Sequence, residues 1–258
     1  MREKATRPKA GGEGDFGFPR EPERDKAPFV RAVFDRVAGR YDLMNDLMSG
    51  FAHRRWKQEL VAWLRPRPGQ CMLDVAGGTG DIARRALPRL DPTRGGLAVV
   101  CDANMRMLEI GRARAIDDGL LGGLEWACGD AEALPVGDRS VDLYTIGFGL
   151  RNVTRLERAL SEARRVLKPG GRFLCLEFAP VVAPWLAPFY DFYSFRVLPL
   201  MGQVVAGDRV AYEYLVDSIR RFPSQADLCR TIAACGLDRV GYRNLSGGIV
   251  ALHSAWRI

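Results

Sequence analysis

Apolar residues first recur at helical spacing: Phe29, Val33, Phe34 and Val37 lie on one side, and Trp56, Leu60, Trp63 and Leu64 repeat the pattern within HRRWKQELVAWLRP. This predicts two helices ahead of the first strand. From there strand-length apolar runs alternate with amphipathic segments: CMLDVA (71–76), GDIARRAL (80–87), LAVVCDA (97–103), NMRMLEIGRARAIDD (104–118), LEWACGDA (124–131), SVDLYTIGFG (140–149), TRLERALSEARRVLK (154–168) and GRFLCLEF (171–178). Strand, helix, strand in this order predicts an α/β fold with a doubly wound, mostly parallel sheet.

After Pro180 the alternation breaks into an aromatic and proline-rich stretch, VVAPWLAPFYDFYSFRVLPLMG, followed by helical patterns in VAYEYLVDSIRRF and QADLCRTIAACG. LDRVGYRNL and GGIVALHSAWRI then read as two strands able to pair antiparallel at a sheet edge. Residues 1–27, rich in Gly, Pro and charge, have no hydrophobic period and are expected to form a flexible tail. The remainder, 28–258, is expected to be one domain, with an N-terminal helical lid over 28–66 and a substrate-covering insertion over 180–222.

Composition narrows the possibilities. The 258 residues are 47% hydrophobic, enough for a substantial core. No run of 18 apolar residues and no signal-peptide pattern is present, so an intracellular protein is expected. Among six cysteines no CxxC pair occurs, and the first four (Cys71, Cys101, Cys128, Cys175) sit in strand-like runs, as buried thiols do. Two distant histidines, His53 and His253, argue against a metal enzyme. The net charge of +7 fits nucleic acid, an acidic ligand, an anionic membrane surface or simply an arginine-rich solvated exterior.

The chemistry concentrates at strand ends. In LDVAGGTGD, Asp74 closes a buried strand, and Gly77, Gly78 and Gly80 permit a tight turn whose backbone N–H groups face a ligand at the following helix. Nicotinamide, flavin and S-adenosylmethionine proteins all use such a turn. Here it reads D-x-A-x-G-x-G, and Gly78-Thr79-Gly80 resembles the first motif of class I S-adenosylmethionine methyltransferases, with Ala76 where the first glycine is usual. One strand later Asp102 stands where a carboxylate accepts both hydroxyls of a ribose; the alternative is an N-cap on the helix beginning near Asn104. The third strand ends at Asp130 and Ala131, where folds of this type bracket an adenine. The doubly wound topology gathers Asp74, Gly78, Asp102, Asp130 and the loop after Ile146 at one edge.

VFDRVAGRYDLMNDLMS, HRRWK, LDVAGGTGD, GDAEALP, GFGLRNV, RVLKPGGRFLCLEF and NLSGGIVALH closely resemble the ubiquinone/menaquinone biosynthesis C-methyltransferase family over roughly residues 15–258. The resemblance implies the class I methyltransferase, Rossmann-like fold, S-adenosyl-L-methionine as methyl donor, and ring-carbon methylation of a polyprenylated benzoquinol or a demethylmenaquinol. It carries cofactor contacts onto Thr79, Asp102, Asp130, Ala131 and Gly147, beside Asp74, Gly78, Gly80 and a lid residue, Tyr41. Asp42, Asn45 and Asp46 share that lid segment, for which helix capping is the alternative. Two departures stand out: relatives often have Ser at Gly147, and often a glycine before HR-x-WK where this chain has Phe51-Ala52.

Methylating a ring carbon needs an ionised neighbouring hydroxyl, and Arg151 and Asn152 are the candidates to hold that oxygen; the alternative for Arg151 is a surface pair with Glu157. Asp102 is a further candidate, as a water-mediated base. Phe189, Tyr193 and Tyr212 are expected to line the acceptor pocket within an aromatic segment that also holds Trp185, Tyr190, Phe192 and Phe195, with core packing as the alternative. Arg220 and Arg221 suit transient, peripheral contact with an anionic membrane. The expected setting is the cytoplasmic face of a bacterial inner membrane or the mitochondrial matrix face, with a homo-oligomer or a quinone-biosynthesis complex as assemblies. Against these stand a nucleic-acid methyltransferase, for which no base-flipping signature is found, and a non-catalytic cofactor-binding subunit.

Overall fold

A computed structural model describes residues 46, 49–179 and 209–258. The expected tail, the helix at 29–37, Tyr41, Asp42, Asn45, Phe189, Tyr193 and the rest of the aromatic stretch lie outside the described residues, as does the side chain of Tyr212.

The first described helix, α1 (Ala52–Leu64), buries His53, Trp56, Lys57, Leu60, Val61 and Leu64. Their three- and four-residue spacing makes one continuous stripe. The chain then runs β1 (Cys71–Val75), α2 (Asp81–Leu90), β2 (Leu97–Asp102), α3 (Met105–Asp117), β3 (Leu124–Cys128), β4 (Val141–Gly147), α4 (Leu156–Val166) and β5 (Leu167–Phe178). It ends with α5 (Arg209–Arg221), α6 (Gln225–Ala234), β6 (Asp238–Leu245) and β7 (Val250–Trp256).

The seven strands lie in the order β3-β2-β1-β4-β5-β7-β6. β1 to β5 are parallel, and β7 enters antiparallel between β5 and the edge strand β6. The expected terminal hairpin is present, with its second strand inside the sheet. Each face of the sheet carries its own core: Leu60, Leu64, Ala83, Leu87 and Leu108 pack on one side, and Leu160, Ala163, Leu228 and Ile232 on the other. Strand order reverses between β1 and β4, which both pair outward from this point, so a crevice opens there at the strands' carboxyl ends.

Two local expectations change. The helix predicted to run to Lys168 stops at Val166, because Pro169 pushes its predecessor out of the α region and Leu167 already joins β5. The cysteine expectation holds for Cys101 and Cys175, whereas Cys71 is half-buried and Cys128 exposed. Cys128 ends β3, an edge strand with one neighbour, so half its surroundings are missing.

Candidate functional site

The glycine turn is built from its backbone outward. Ala76, Gly78 and Gly80 have φ of 50, 56 and 75°, and Gly80 N–H closes the turn on Gly77 O at 2.9 Å. A Cβ on Gly77 would lie 2.8 Å from a Val100 methyl and 2.9 Å from Asp74 O, so only glycine lets the turn settle onto β1 and β2. Ala76 takes a left-handed conformation where the family resemblance expects glycine. Phe51 does the same, with φ 65°, at the other departure. Both substitutions therefore fall where a Cβ is disfavoured.

Asp102 sits against this turn. Its two oxygens each accept one backbone N–H at 2.8 Å, Oδ2 from Gly78 and Oδ1 from Asn104. A carboxylate offers about four acceptor sites, so two remain, on adjacent oxygens, for a vicinal diol. The cap on α3 is Asn104, whose Oδ1 accepts from Met107 N–H at 3.1 Å. Burial raises the Asp102 pKa above its usual range, against the lowering effect of those two N–H groups.

Asp74 departs from the expected direct cofactor contact. Its side chain is wholly buried; Oδ1 accepts the Thr145 hydroxyl at 2.7 Å and Oδ2 accepts Ala83 N–H at 3.2 Å. It joins β1, β4 and the start of α2 from beneath the turn, and burial pushes its pKa up to about 7.

After β3, the loop carrying Asp130 and Ala131 is clamped from α4. Asp130 Oδ1 accepts Glu132 N–H at 2.9 Å. Buried Glu132 takes the N–H groups of Thr154 and Arg155 at 2.8 and 2.9 Å and Arg155 Nε at 2.8 Å. Glu162 takes Leu134 N–H at 2.8 Å. Asp130 stays exposed at the sheet's carboxyl edge. Across the crevice, Gly147 ends β4, and a Cβ there would come within 2.4 Å of Ile82 Cδ1 on α2. The missing side chain at 147 and the isoleucine at 82 occupy one space.

Arg151 and Asn152 lie in a short helical turn, Leu150–Asn152, beyond β4. Arg151, the candidate to hold the acceptor oxygen, pairs with Glu177 and not with Glu157. Its Nη1 donates to Glu177 Oε1 at 2.7 Å, with the two side chains 7% and 1% exposed, and its guanidinium lies 5.5 Å from the Phe178 ring centre. Glu177 compensates its charge locally, so the guanidinium serves the wall of the crevice more than an incoming phenolate. Asn152 Oδ1 accepts the Tyr214 hydroxyl at 3.1 Å, which ties α5 to this turn. Trp56, Phe148 and Phe178 form an aromatic triangle nearby, with centroid separations of 6.2, 6.2 and 4.9 Å.

On the α1 side, Lys57 Nζ donates to Asp81 Oδ2 at 2.9 Å, at the first residue of α2. Asp46, the described member of the lid segment's acidic set, binds back onto α1. Its Oδ1 accepts from His53 Nε2 and Arg54 Nε, both at 2.7 Å, and its Oδ2 from Arg54 Nη2 at 2.5 Å.

A glycine turn a Cβ would block, a two-oxygen acceptor with adjacent free lone pairs, and a clamped loop at the next strand end fit an adenosine-bearing ligand. The sequence profile of the ubiE/COQ5 methyltransferase family matches residues 21–257. The ubiquinone/menaquinone biosynthesis C-methyltransferase UbiE of Paracoccus denitrificans (strain Pd 1222) is 55% identical over 246 residues, covering 95% of this chain and 97% of that one. The protein of the same description from Cereibacter sphaeroides (strain ATCC 17029 / ATH 2.4.9) is 54% identical over 243 residues, covering 94% and 96%. Among solved structures, a SAM-dependent methyltransferase of Thermotoga maritima described as a possible histamine N-methyltransferase shares the fold, with a TM-score of 0.60, 21% identity and coverage of 88% and 99%.

Proposed function

This chain belongs to the ubiE/COQ5 methyltransferase family, and from that premise we propose that it methylates a ring carbon of a polyprenylated benzoquinol, a demethylmenaquinol or both, in ubiquinone/menaquinone biosynthesis. The observation that carries this is the near-full-length likeness to relatives described by that reaction. The residues around the glycine turn supply a matching donor site.

S-adenosylmethionine, when bound, supplies an electrophilic methyl group on a sulfonium centre. Asp102 accepts the ribose hydroxyls, with its oxygens aligned by Gly78 and Asn104. Gly78, Thr79 and Gly80 let the backbone approach, Asp130 and Ala131 frame the adenine, and Gly147 offers its backbone at the switch point. Asp74 holds the turn and β4 in register. Arg151, Asn152 and Tyr214 shape the acceptor side, where Trp56, Phe148 and Phe178 give an apolar wall. Catalysis here is chiefly orientation of the acceptor carbon toward the methyl, which contributes roughly 7–11 kcal/mol in well-aligned cases. Tyr41, Phe189, Tyr193 and Tyr212, named from the sequence, are the candidates for the lid and the acceptor pocket. Arg220 and Arg221 at the end of α5 suit transient contact with the membrane that holds so apolar a substrate; among the described residues no helix is long and apolar enough to cross it.

The test is transfer of labelled methyl to a 2-methoxy-6-polyprenyl-1,4-benzoquinol, a demethylmenaquinol and bulk RNA. Label on a quinol ring carbon is expected. Label confined to RNA, or donor binding without transfer to any acceptor, would overturn the assignment.

A further inference from the structure

With the Arg151 charge compensated by Glu177 and the two remaining acceptor sites of Asp102 assigned to the ribose diol, neither group is left to ionise the acceptor. Position 53 has the required chemistry. His53 and Asp46 form a buried pair, 8% and 9% exposed at their side chains, with Nε2 and Oδ1 2.7 Å apart. An ionised Asp46 fixes the imidazole with its proton on Nε2, leaving the lone pair on Nδ1. Asp46 is ionised: the Arg54 hydrogen bond, opposed by burial, holds its pKa at about 2. Nδ1 is buried and has no hydrogen-bond partner among the described residues, which for a buried ring nitrogen calls for an explanation.

The pair also stands in the right place. One turn beyond His53, Lys57 reaches Asp81 at the start of α2, just past the glycine turn. Between them Trp56 packs on Phe148 and Phe178, just past the end of β4 and at the end of β5. The first turns of α1 therefore lie across the crevice, between the donor's turn and the acceptor's wall.

Resting on the proposed function, we propose that His53 is the general base that takes the acceptor's phenolic proton, with Asp46 as its positioning residue. The O–H bond breaks and an Nδ1–H bond forms. The electron pair stays on oxygen and is shared with the ortho ring carbon, the atom to be methylated. When the methylated ring loses its C–H proton to water, the oxygen recovers a proton from Nδ1, so one proton is released per turnover and His53 is regenerated. The charged groups around His53 are Asp46 from the preceding segment, Arg54 and Lys57 on α1, and Asp81 on α2. Burial, the largest influence, lowers the His53 pKa, with Lys57 assisting and the two carboxylates opposing. The ring is thus neutral and able to accept at pH 7. His253 provides an internal contrast: its Nδ1 also lacks a partner among the described residues, but its Nε2 faces a carbonyl, Gln225 O, at 3.2 Å.

The full-length protein is tested with two acceptors, a quinol of ordinary phenolic pKa and an electron-poor analogue already ionised at neutral pH. H53Q should bind S-adenosylmethionine like the parent, lose roughly 10²–10⁴-fold of transfer to the first acceptor, and stay within a few-fold on the second. Equal loss on both, or no loss, overturns the proposal. A readout without turnover is the visible absorbance of a bound nitrophenol analogue with S-adenosylhomocysteine: the parent should ionise it below its free pKa and H53Q should not. If H53Q does not fold, the parent's pH–rate profile decides: an acid limb with the first acceptor alone supports the base, and the same limb with both overturns it. A parent that transfers methyl to no quinol overturns the proposed function, while the absorbance measurement still decides the role of His53.

Discussion

Replacing Asp102 by asparagine tests the donor site most directly. Both carboxylate oxygens already receive a backbone N–H at 2.8 Å. An asparagine amide must place its NH₂ against either Gly78 N–H or Asn104 N–H, so a donor meets a donor, and the negative charge that would receive the ribose diol is gone. Hydrogen bonds to a charged group contribute about 1.5–3 kcal/mol each. Weakening two of them removes about 3–6 kcal/mol, and at about 1.4 kcal/mol per tenfold the Kd for S-adenosylmethionine rises by roughly 10²–10⁴. Titration calorimetry with S-adenosylmethionine and S-adenosylhomocysteine measures this, alongside thermal unfolding of the free protein. The loss should fall mainly on kcat/KM for the donor and only weakly on transfer at saturating donor. D102N binding either ligand within threefold of the parent would refute the ribose assignment.

His253, with its pKa lowered from 6.5 to about 4 chiefly by burial, stays neutral in the folded protein while the unfolded chain takes up a proton. Its contribution to stability is complete above pH 6.5 and is lost as pH falls toward 4; because protonation of buried Asp74 stabilises the native state over the same range, the effect is read as a difference, the stability of the parent relative to H253Q falling by about 2 kcal/mol between pH 7 and 5 in urea unfolding. A76G should raise stability by roughly 1 kcal/mol by relieving a left-handed alanine, read as a higher urea midpoint at unchanged slope. G147S should cost about 1–3 kcal/mol through overlap with Ile82, and I82V, which deletes the offending methyl, should restore at least about 0.5 kcal/mol beyond additivity in a double-mutant cycle.

The strand ends and the glycine turn were legible because period-two and period-3.6 apolar patterns mark where each element stops, and the parallel topology then gathers those ends. Partners chosen by the sheet were not. Arg151 finds Glu177, 26 residues on, because β4 and β5 are neighbours in register; a local reading could offer only Glu157. The Glu132 clamp likewise depends on how α4 lies over the loop after β3. Asp102 and Asn104 are both good caps by type, and only the φ and ψ at the helix start show which one caps. A lone histidine suggests no metal and so gives His53 no local mark; the signal that points to it is the acidic residue seven positions earlier in MND-x-MS, brought close by the bend at Gly50 and Phe51. The two glycine departures, at Ala76 and Phe51, were visible as substitutions, but their cost is apparent only once both prove left-handed.

The insertion of β7 between β5 and β6 also sets the order of events at the ribosome. β4 and β5 can pair as soon as residue 178 has emerged, yet the other side of β5 keeps its row of backbone donors and acceptors unmatched until residues 250–256 arrive, as in the pairing of Cys175 with His253. During that interval the nascent sheet presents an apolar open edge able to recruit a second chain. β7 is thus the strand that covers the open side of β5, and slowing translation between β5 and β7 should increase aggregation without changing the finished fold.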